Sequence, residues 1–198
     1  MPIIGAIVRF QVQRDSLNVG KPPRRRYDPA PLRQVDALSL TEDGVRGWTA
    51  DGDLVPDVHN RHHPASKNRD GLNGVSLIFT SHYDLMRERF GDHLDDGIAG
   101  ENILIELADP ARTVSEAELR NGVCIETAAD GLIQLEDLIV AVPCVEFARY
   151  ALRFPDEARP DRTVTEAVQA LDNGVRGYYA SFRGPETCLA LGARVEIR

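Results

Sequence analysis

The chain has 198 residues, with 31 acidic and 23 basic side chains and a net charge of −8 at neutral pH. That balance argues against nucleic acid or an anionic membrane as a partner, because both are captured by clustered positive charge. A hydrophobic fraction of 42% and a charged fraction of 27% suit a soluble globular protein with a sizeable core, expected as one domain over residues 1–198.

Ile3 to Val12 alternates as a strand. Arg9, Gln11, Gln13 and Arg14 break its apolar character, so no signal peptide is expected, and no run of about 18 apolar residues follows to span a membrane. Residues 15–34 hold four prolines and the basic run Lys21-Pro22-Pro23-Arg24-Arg25-Arg26. They read as a loop, and the basic run as a solvated stretch or an anion clamp. Val35 to Leu40 alternates again, and Gly44 to Trp48 follows a turn at Glu42-Asp43-Gly44. Residues 50–74 are polar and carry three of the five histidines, His59, His62 and His63. Their H-x-x-H-H spacing does not match a zinc pair on one helix face. A polar loop cluster is the first reading, and substrate or proton contact the alternative.

Val75 to Phe79 predicts a strand. Ser81 predicts a helix cap, with Asp84 at the box position and the helix running to about Phe90. Asn102 to Leu107 reads as a strand, and Thr113-Val114-Ser115-Glu116 as a capping box for a short helical turn. Val123 to Thr127 and Leu132 to Val142 read as a hairpin around Ala129-Asp130-Gly131. One helix follows Cys144. Another starts at Thr163, with Glu166 as box partner, and stops before Gly174. Two closing strands flank Arg183-Gly184-Pro185. Many short strands with helices at their connections predict a mainly β fold with α excursions, a closed or half-closed barrel.

Cys144 is the residue on which function turns. The buried apolar run Leu138 to Val142 ends at Pro143, which has no N–H for a ladder bond. Phe147 and Ala151 then repeat at helical spacing. The thiol therefore falls at a strand-to-helix junction, where free N–H groups favour a thiolate suited to nucleophilic sulfur chemistry or soft-metal ligation. A small buried core residue is the other reading. Cys124 and Cys188 are too far away in sequence to make a C-x-x-C pair, and a cytoplasmic chain with reduced thiols is expected.

Four pieces occur in order around it: Leu38 to Gly47 near the front, Gly97-Ile98-Ala99-Gly100-Glu101-Asn102-Ile103, the Pro143-Cys144 element, and Asn173-Gly174-Val175-Arg176-Gly177-Tyr178-Tyr179-Ala180. With the closing Leu191 to Ile197, the set resembles the MOSC family, named for the C-terminal domain of molybdenum cofactor sulfurase. The resemblance implies a mostly antiparallel β-barrel with short helices packed on it. It also implies that Cys144 carries the chemistry, by ligating the molybdenum of a pterin cofactor (molybdopterin) that reduces N-hydroxylated substrates, or by holding a persulfide for sulfur transfer. Pyridoxal phosphate binding belongs to the same family-level expectation.

The resemblance carries cofactor-binding roles onto further residues. Gly100 would let the backbone approach a ligand or take φ > 0. Glu101 would orient the site or make a structural ion pair. Asn102 would contact the cofactor or hold a tight turn. Arg176 and Gly177, with Tyr178 and Tyr179 behind them, match the closing Arg-Gly, and Arg176 would clamp the cofactor phosphate from the barrel mouth or lie as a surface arginine. Arg46-Gly47 would play a similar part. Independently of the resemblance, the stretch Lys67-Asn68-Arg69 adds positive charge to the 50–74 loop and would help neutralise an anionic ligand.

The chain departs from the family pattern at Trp48, Ala141 and Ala193, where an acid, an arginine and an acid are common. Trp48 would line an aromatic pocket or fill the barrel. The chain has no flavin, haem or iron–sulfur motif, so an electron-donor or sulfur-donor protein is the expected partner beside a small-molecule substrate. A metal-free persulfide carrier and a non-catalytic module for an anionic small molecule are the alternatives.

Overall fold

The computed structural model describes residues 3–68, 70, 72–127 and 131–198. Arg69 and the Ala129-Asp130 part of the expected hairpin turn lie outside them. In chain order the elements are β1 (Ile3–Gln13), β2 (Asn18–Val19), β3 (Arg26–Tyr27), β4 (Leu32–Val35), β5 (Ala37–Thr41), β6 (Gly44–Trp48), β7 (Leu54–Pro56), β8 (Val75–Phe79), α1 (Thr80–Phe90), β9 (Ile103–Leu107), α2 (Glu116–Leu119), β10 (Val123–Thr127), β11 (Gly131–Val140), α3 (Val145–Ala151), α4 (Arg162–Leu171), β12 (Tyr178–Phe182), β13 (Thr187–Ala190) and β14 (Arg194–Ile197).

Seven strands close a barrel in the order β1-β14-β10-β11-β12-β8-β9 and back to β1. Every neighbour pair is antiparallel except β8 and β9, which run parallel. A parallel pair needs a crossover, and α1 with the segment after it supplies one. Strand β8 is buried throughout because it is covered on both faces. Leu77 and Phe79 point into the barrel with Phe10, Ile105 and Ile125. Ile78 points outward, into a second core beneath the helices with Tyr83, Met86, Phe147 and Leu171. The period-two alternation of a strand thus serves two cores at once. Strands β13-β5-β6-β7 form a smaller sheet beside the barrel, and β2 pairs with β3.

Several local expectations are corrected. Helix α1 begins at Thr80 with Phe79 as its N-cap and no side-chain cap, so Ser81 lies within the first turn. The box before α2 is Ser115 with Glu118, not Thr113 with Glu116. Helix α4 is capped by Asp161, whose carboxylate accepts from the N–H groups of Thr163 and Val164, while Glu166 pairs with Arg162. At α2 and α4 a better-placed oxygen captured the first-turn N–H groups. The strands flanking Arg183-Gly184-Pro185 do not pair with each other. β12 stays in the barrel, and β13 pairs with β5. The long 50–74 loop contains β7, and the 15–34 loop contains β2, β3 and the start of β4. Among the described residues, no helix is long and apolar enough to cross a membrane.

Candidate functional site

Strand β11 ends at Val140, three residues before Pro143. Ala141 still donates its N–H to the Gly177 carbonyl at 2.9 Å, so the Pro-Cys element is tied to the segment that enters β12. Cys144 is the N-cap of α3, in extended conformation, and its Sγ accepts from the Phe147 N–H at 3.4 Å. The Asn18 side chain of β2 lies 3.9 Å from Sγ. The thiol is half-buried and opens onto a cavity of about 270 Å³.

Arg176 lies across that cavity. The sequence places it there through Gly177, whose φ of +99° and close approach to the Leu77 carbonyl leave no room for a Cβ. The guanidinium carbon sits 4.4 Å from the centre of the Phe147 ring. A half-buried arginine normally finds a carboxylate. Its backbone N–H donates to the Leu171 carbonyl at 3.0 Å, but among the described residues the Arg176 guanidinium makes no ion pair and no hydrogen bond. Lys67, from the 50–74 loop, lines the same cavity and is likewise unpaired.

A water-sized chamber of about 20 Å³ adjoins the cavity and shares Gln13, Ala141, Arg176 and Tyr179 with it. Gly100, Glu101 and Tyr178 line the chamber rather than the main cavity. Glu101 is buried. Its Oε2 accepts from the Tyr83 hydroxyl at 2.9 Å, and its Oε1 has no partner. Burial pushes this carboxyl up to about 7, against the Tyr83 hydrogen bond and the nearby Arg176. The Tyr83 hydroxyl also accepts from the N–H groups of Gly97 and Ala99, so the glycine loop is fastened to α1. The ion pair considered for Glu101 is therefore replaced by a tyrosine hydrogen bond.

Asn102 lines neither space. Its Oδ1 accepts from the Ser76 N–H and hydroxyl, and its Nδ2 donates to the Gln11 carbonyl and to Asp57 Oδ2. All four hydrogen-bonding positions are committed to protein, which accounts for its complete burial. Arg46 bonds Glu186 in a separate groove with Asp43 and His62. Gly47 packs where a Cβ would strike Val12 and Val35. Neither reaches the Cys144 cavity. Trp48 lies on β6, 37% exposed, and neither fills the barrel nor lines the cavity. Ala193 packs against the barrel core away from it. Ala141 lines both spaces, so its short side chain helps keep them open. From the basic run, Arg25 pairs with Glu146 of α3 at 2.7 Å, and no residue of the run lines the cavity.

The histidines separate. His62 bonds Asp43, and the His63 ring accepts from the Ala65 N–H. His59 lines the cavity with its Nδ1 on the fully buried Asp57 at 2.9 Å. Sequence reasoning missed Asp57, Gln13, Asn18 and Tyr27. The one local signal was the Asp57-x-His59 spacing of an Asx turn, in which the carboxylate also accepts from the His59 N–H. Among the described residues, no group of three or more His, Cys, Asp or Glu side chains is arranged to hold a metal ion.

The closed mixed barrel thus carries a helix-capping thiol and an arginine without an ion pair on the walls of one cavity. The chain belongs to the MOSC family: the MOSC domain model matches residues 72–196. The fold is similar to that of the YuaD protein from Bacillus subtilis, with a TM-score of 0.52 and 11% identity over 98% of this chain and 92% of that one. A hypothetical protein of known crystal structure gives 0.51 and 16% over 96% of this chain and 69% of that one. YiiM from Geobacillus stearothermophilus gives 0.46 and 17% over 95% and 75%. No curated protein matches the chain by sequence.

Proposed function

We propose that this protein binds the molybdenum cofactor in the Cys144 cavity and serves redox or sulfur-transfer chemistry there, the redox substrates being N-hydroxylated compounds. The observation that carries the proposal is an unpaired, half-buried Arg176 facing a cavity that also presents the Cys144 thiol. A buried guanidinium without a carboxylate is matched to an anion supplied from outside, and a phosphate takes its planar fork best. A thiolate suits a soft metal.

The donor set fits the cofactor in kind. Cys144 would ligate the metal, Arg176 and Lys67 would hold the phosphate, and Asn18 beside the thiol offers an amide to the pterin. When bound, the cofactor would supply two-electron redox chemistry at the metal. The chain's own residues bind and orient it, and the Phe147 ring keeps the guanidinium turned to the cavity. Electrons or sulfur would come from a partner protein.

The test is molybdenum and pterin content after expression in a cell that makes the cofactor. The expected result is near-stoichiometric molybdenum in the wild type and its loss in Cys144→Ala. Unchanged molybdenum in Cys144→Ala, or none in the wild type, overturns the proposal. Should molybdenum be absent, sulfane sulfur on Cys144 after incubation with a cysteine desulfurase would favour the persulfide carrier. Full anion binding by Cys144→Ser would favour the non-catalytic module.

A further inference from the structure

Asp57 is completely buried, and four donors converge on it. Oδ2 accepts from the Gln13 N–H at 2.7 Å and from Asn102 Nδ2 at 2.8 Å. Oδ1 accepts from the His59 N–H at 2.8 Å and from His59 Nδ1 at 2.9 Å. Burial alone would push this carboxyl up. The His59 ring and the N–H groups of Gln13 and His59 outweigh burial and hold it below the usual carboxylate value. An ionised carboxylate on Nδ1 makes that nitrogen the N–H donor and leaves Nε2 with the lone pair. Nε2 has no hydrogen-bond partner among the described residues. The ring lies on the wall of the cavity that holds the thiol, with its centre 5.5 Å from that of Tyr179.

We propose that His59 is the acid–base residue of the Cys144 cavity, with Asp57 as its positioning residue and with Asn102 and Gln13 holding Asp57. The proposal rests on Cys144 being the reactive thiol, and it is independent of which ligand that thiol takes. A thiol that forms a bond to a soft metal or an electrophilic atom must release its proton. The S–H electron pair becomes the new bond from Sγ, and the proton passes to His59 Nε2, directly or through a water. The imidazolium so formed is balanced by the Asp57 carboxylate, and release of the bond returns the proton. With an alkyl iodide the iodide departs with its electron pair. The titratable and charged groups facing His59 are Asp57 and Lys67 on its own loop, Tyr179 of β12, and Cys144, Arg176 and Tyr27 around the cavity. On this proposal Asn102 reaches the chemistry at one remove, through Asp57.

The experiment is alkylation of the purified full chain by iodoacetamide, followed peptide by peptide, with the exposed Cys188 as internal control. The wild-type rate at Cys144 should rise with pH in two steps. In His59→Gln it should rise in one step and be at least about tenfold slower at pH 7. Asp57→Asn should move it the same way, and added imidazole should restore part of the rate to His59→Ala. Cys188 should be unaffected throughout. In the unaltered protein, ¹⁵N NMR should find the neutral His59 ring protonated on Nδ1, a readout that does not require a variant to fold. Equal rates and profiles at Cys144 in wild type and His59→Gln overturn the proposal, and so does a neutral ring protonated on Nε2. Neither readout requires bound molybdenum, so failure of the cofactor proposal would leave this result standing, and failure here would leave the molybdenum content unchanged as a separate finding.

Discussion

Glu101 and Arg176 share a water-sized chamber, and among the described residues neither makes a salt bridge. Their chemistry differs because a guanidinium stays charged in any surroundings, whereas a buried carboxyl can take up a proton. With its folded value raised to about 7 from an ordinary 4.5, Glu101 holds its proton across a range in which the unfolded chain has lost it. The folded state then binds more protons than the unfolded one, so stability falls as pH rises. The Glu101 contribution is fully present below about pH 4.5 and is lost as pH rises through about 7. The difference corresponds to about 3 kcal/mol. Glu101→Gln, which keeps an acceptor for Tyr83, should flatten this dependence and raise stability at pH 8 in urea titrations. A wild type equally stable at pH 5 and pH 8, with the variant showing no gain, would contradict the placement of a buried unpaired carboxyl.

At the scale of elements, the strands were legible because their pattern is written in the residues themselves, as alternation in Ile3 to Val12 and as a short apolar run in Val75 to Phe79. The strand-to-helix junction at Cys144 was legible for a related reason: Pro143 stops a ladder, and Phe147 and Ala151 start a helical face. Helix caps were less legible: α1 starts at Thr80 with no side-chain cap, and Thr113 and Thr163 each compete with an oxygen two residues away, on Ser115 and Asp161. Only the backbone path decides which oxygen meets the first turn. The Gly-Glu-Asn residues were found by resemblance, but their partners were not. Asp57 lies 45 residues from Asn102, and Tyr83 lies 18 from Glu101, so the pairings exist only after the barrel closes.

The entry to β12 is where element geometry controls function. Gly177→Ala would force a side chain into a left-handed backbone against the Leu77 carbonyl. It should cost roughly 1–3 kcal/mol in thermal or urea unfolding and displace Arg176 from the cavity. Its molybdenum content should therefore fall even at temperatures where the variant is fully folded. An unchanged melting temperature with full molybdenum would show that the segment tolerates a Cβ and that Arg176 is not set by it.

At the scale of the whole molecule, the net charge of −8 and the cationic cavity are opposed. The acidic surface would repel a phosphate at long range, while Arg176 and Lys67 attract it at short range. Salt screens the exposed charges more than the half-buried one. The barrel brings this about by pairing β11 with β12, so that the segment entering β12 meets the Pro-Cys element through the Ala141 N–H and the Gly177 carbonyl. The alternation of strands predicted a barrel, but not the parallel β8–β9 pair, since parallel and antiparallel neighbours share one side-chain period. Trp48, Ala141 and Ala193 show the same limit. Only Ala141 stands at the cavity, so only one of the three departures from the family pattern bears on its lining.

The most direct test of the central claim is an anomalous difference map across the molybdenum absorption edge, from crystals of the protein expressed with the cofactor. The proposal predicts a single strong peak in the Cys144 cavity, at bonding distance from Sγ. A peak elsewhere, or none in crystals whose cavity is filled by another ligand, would contradict it.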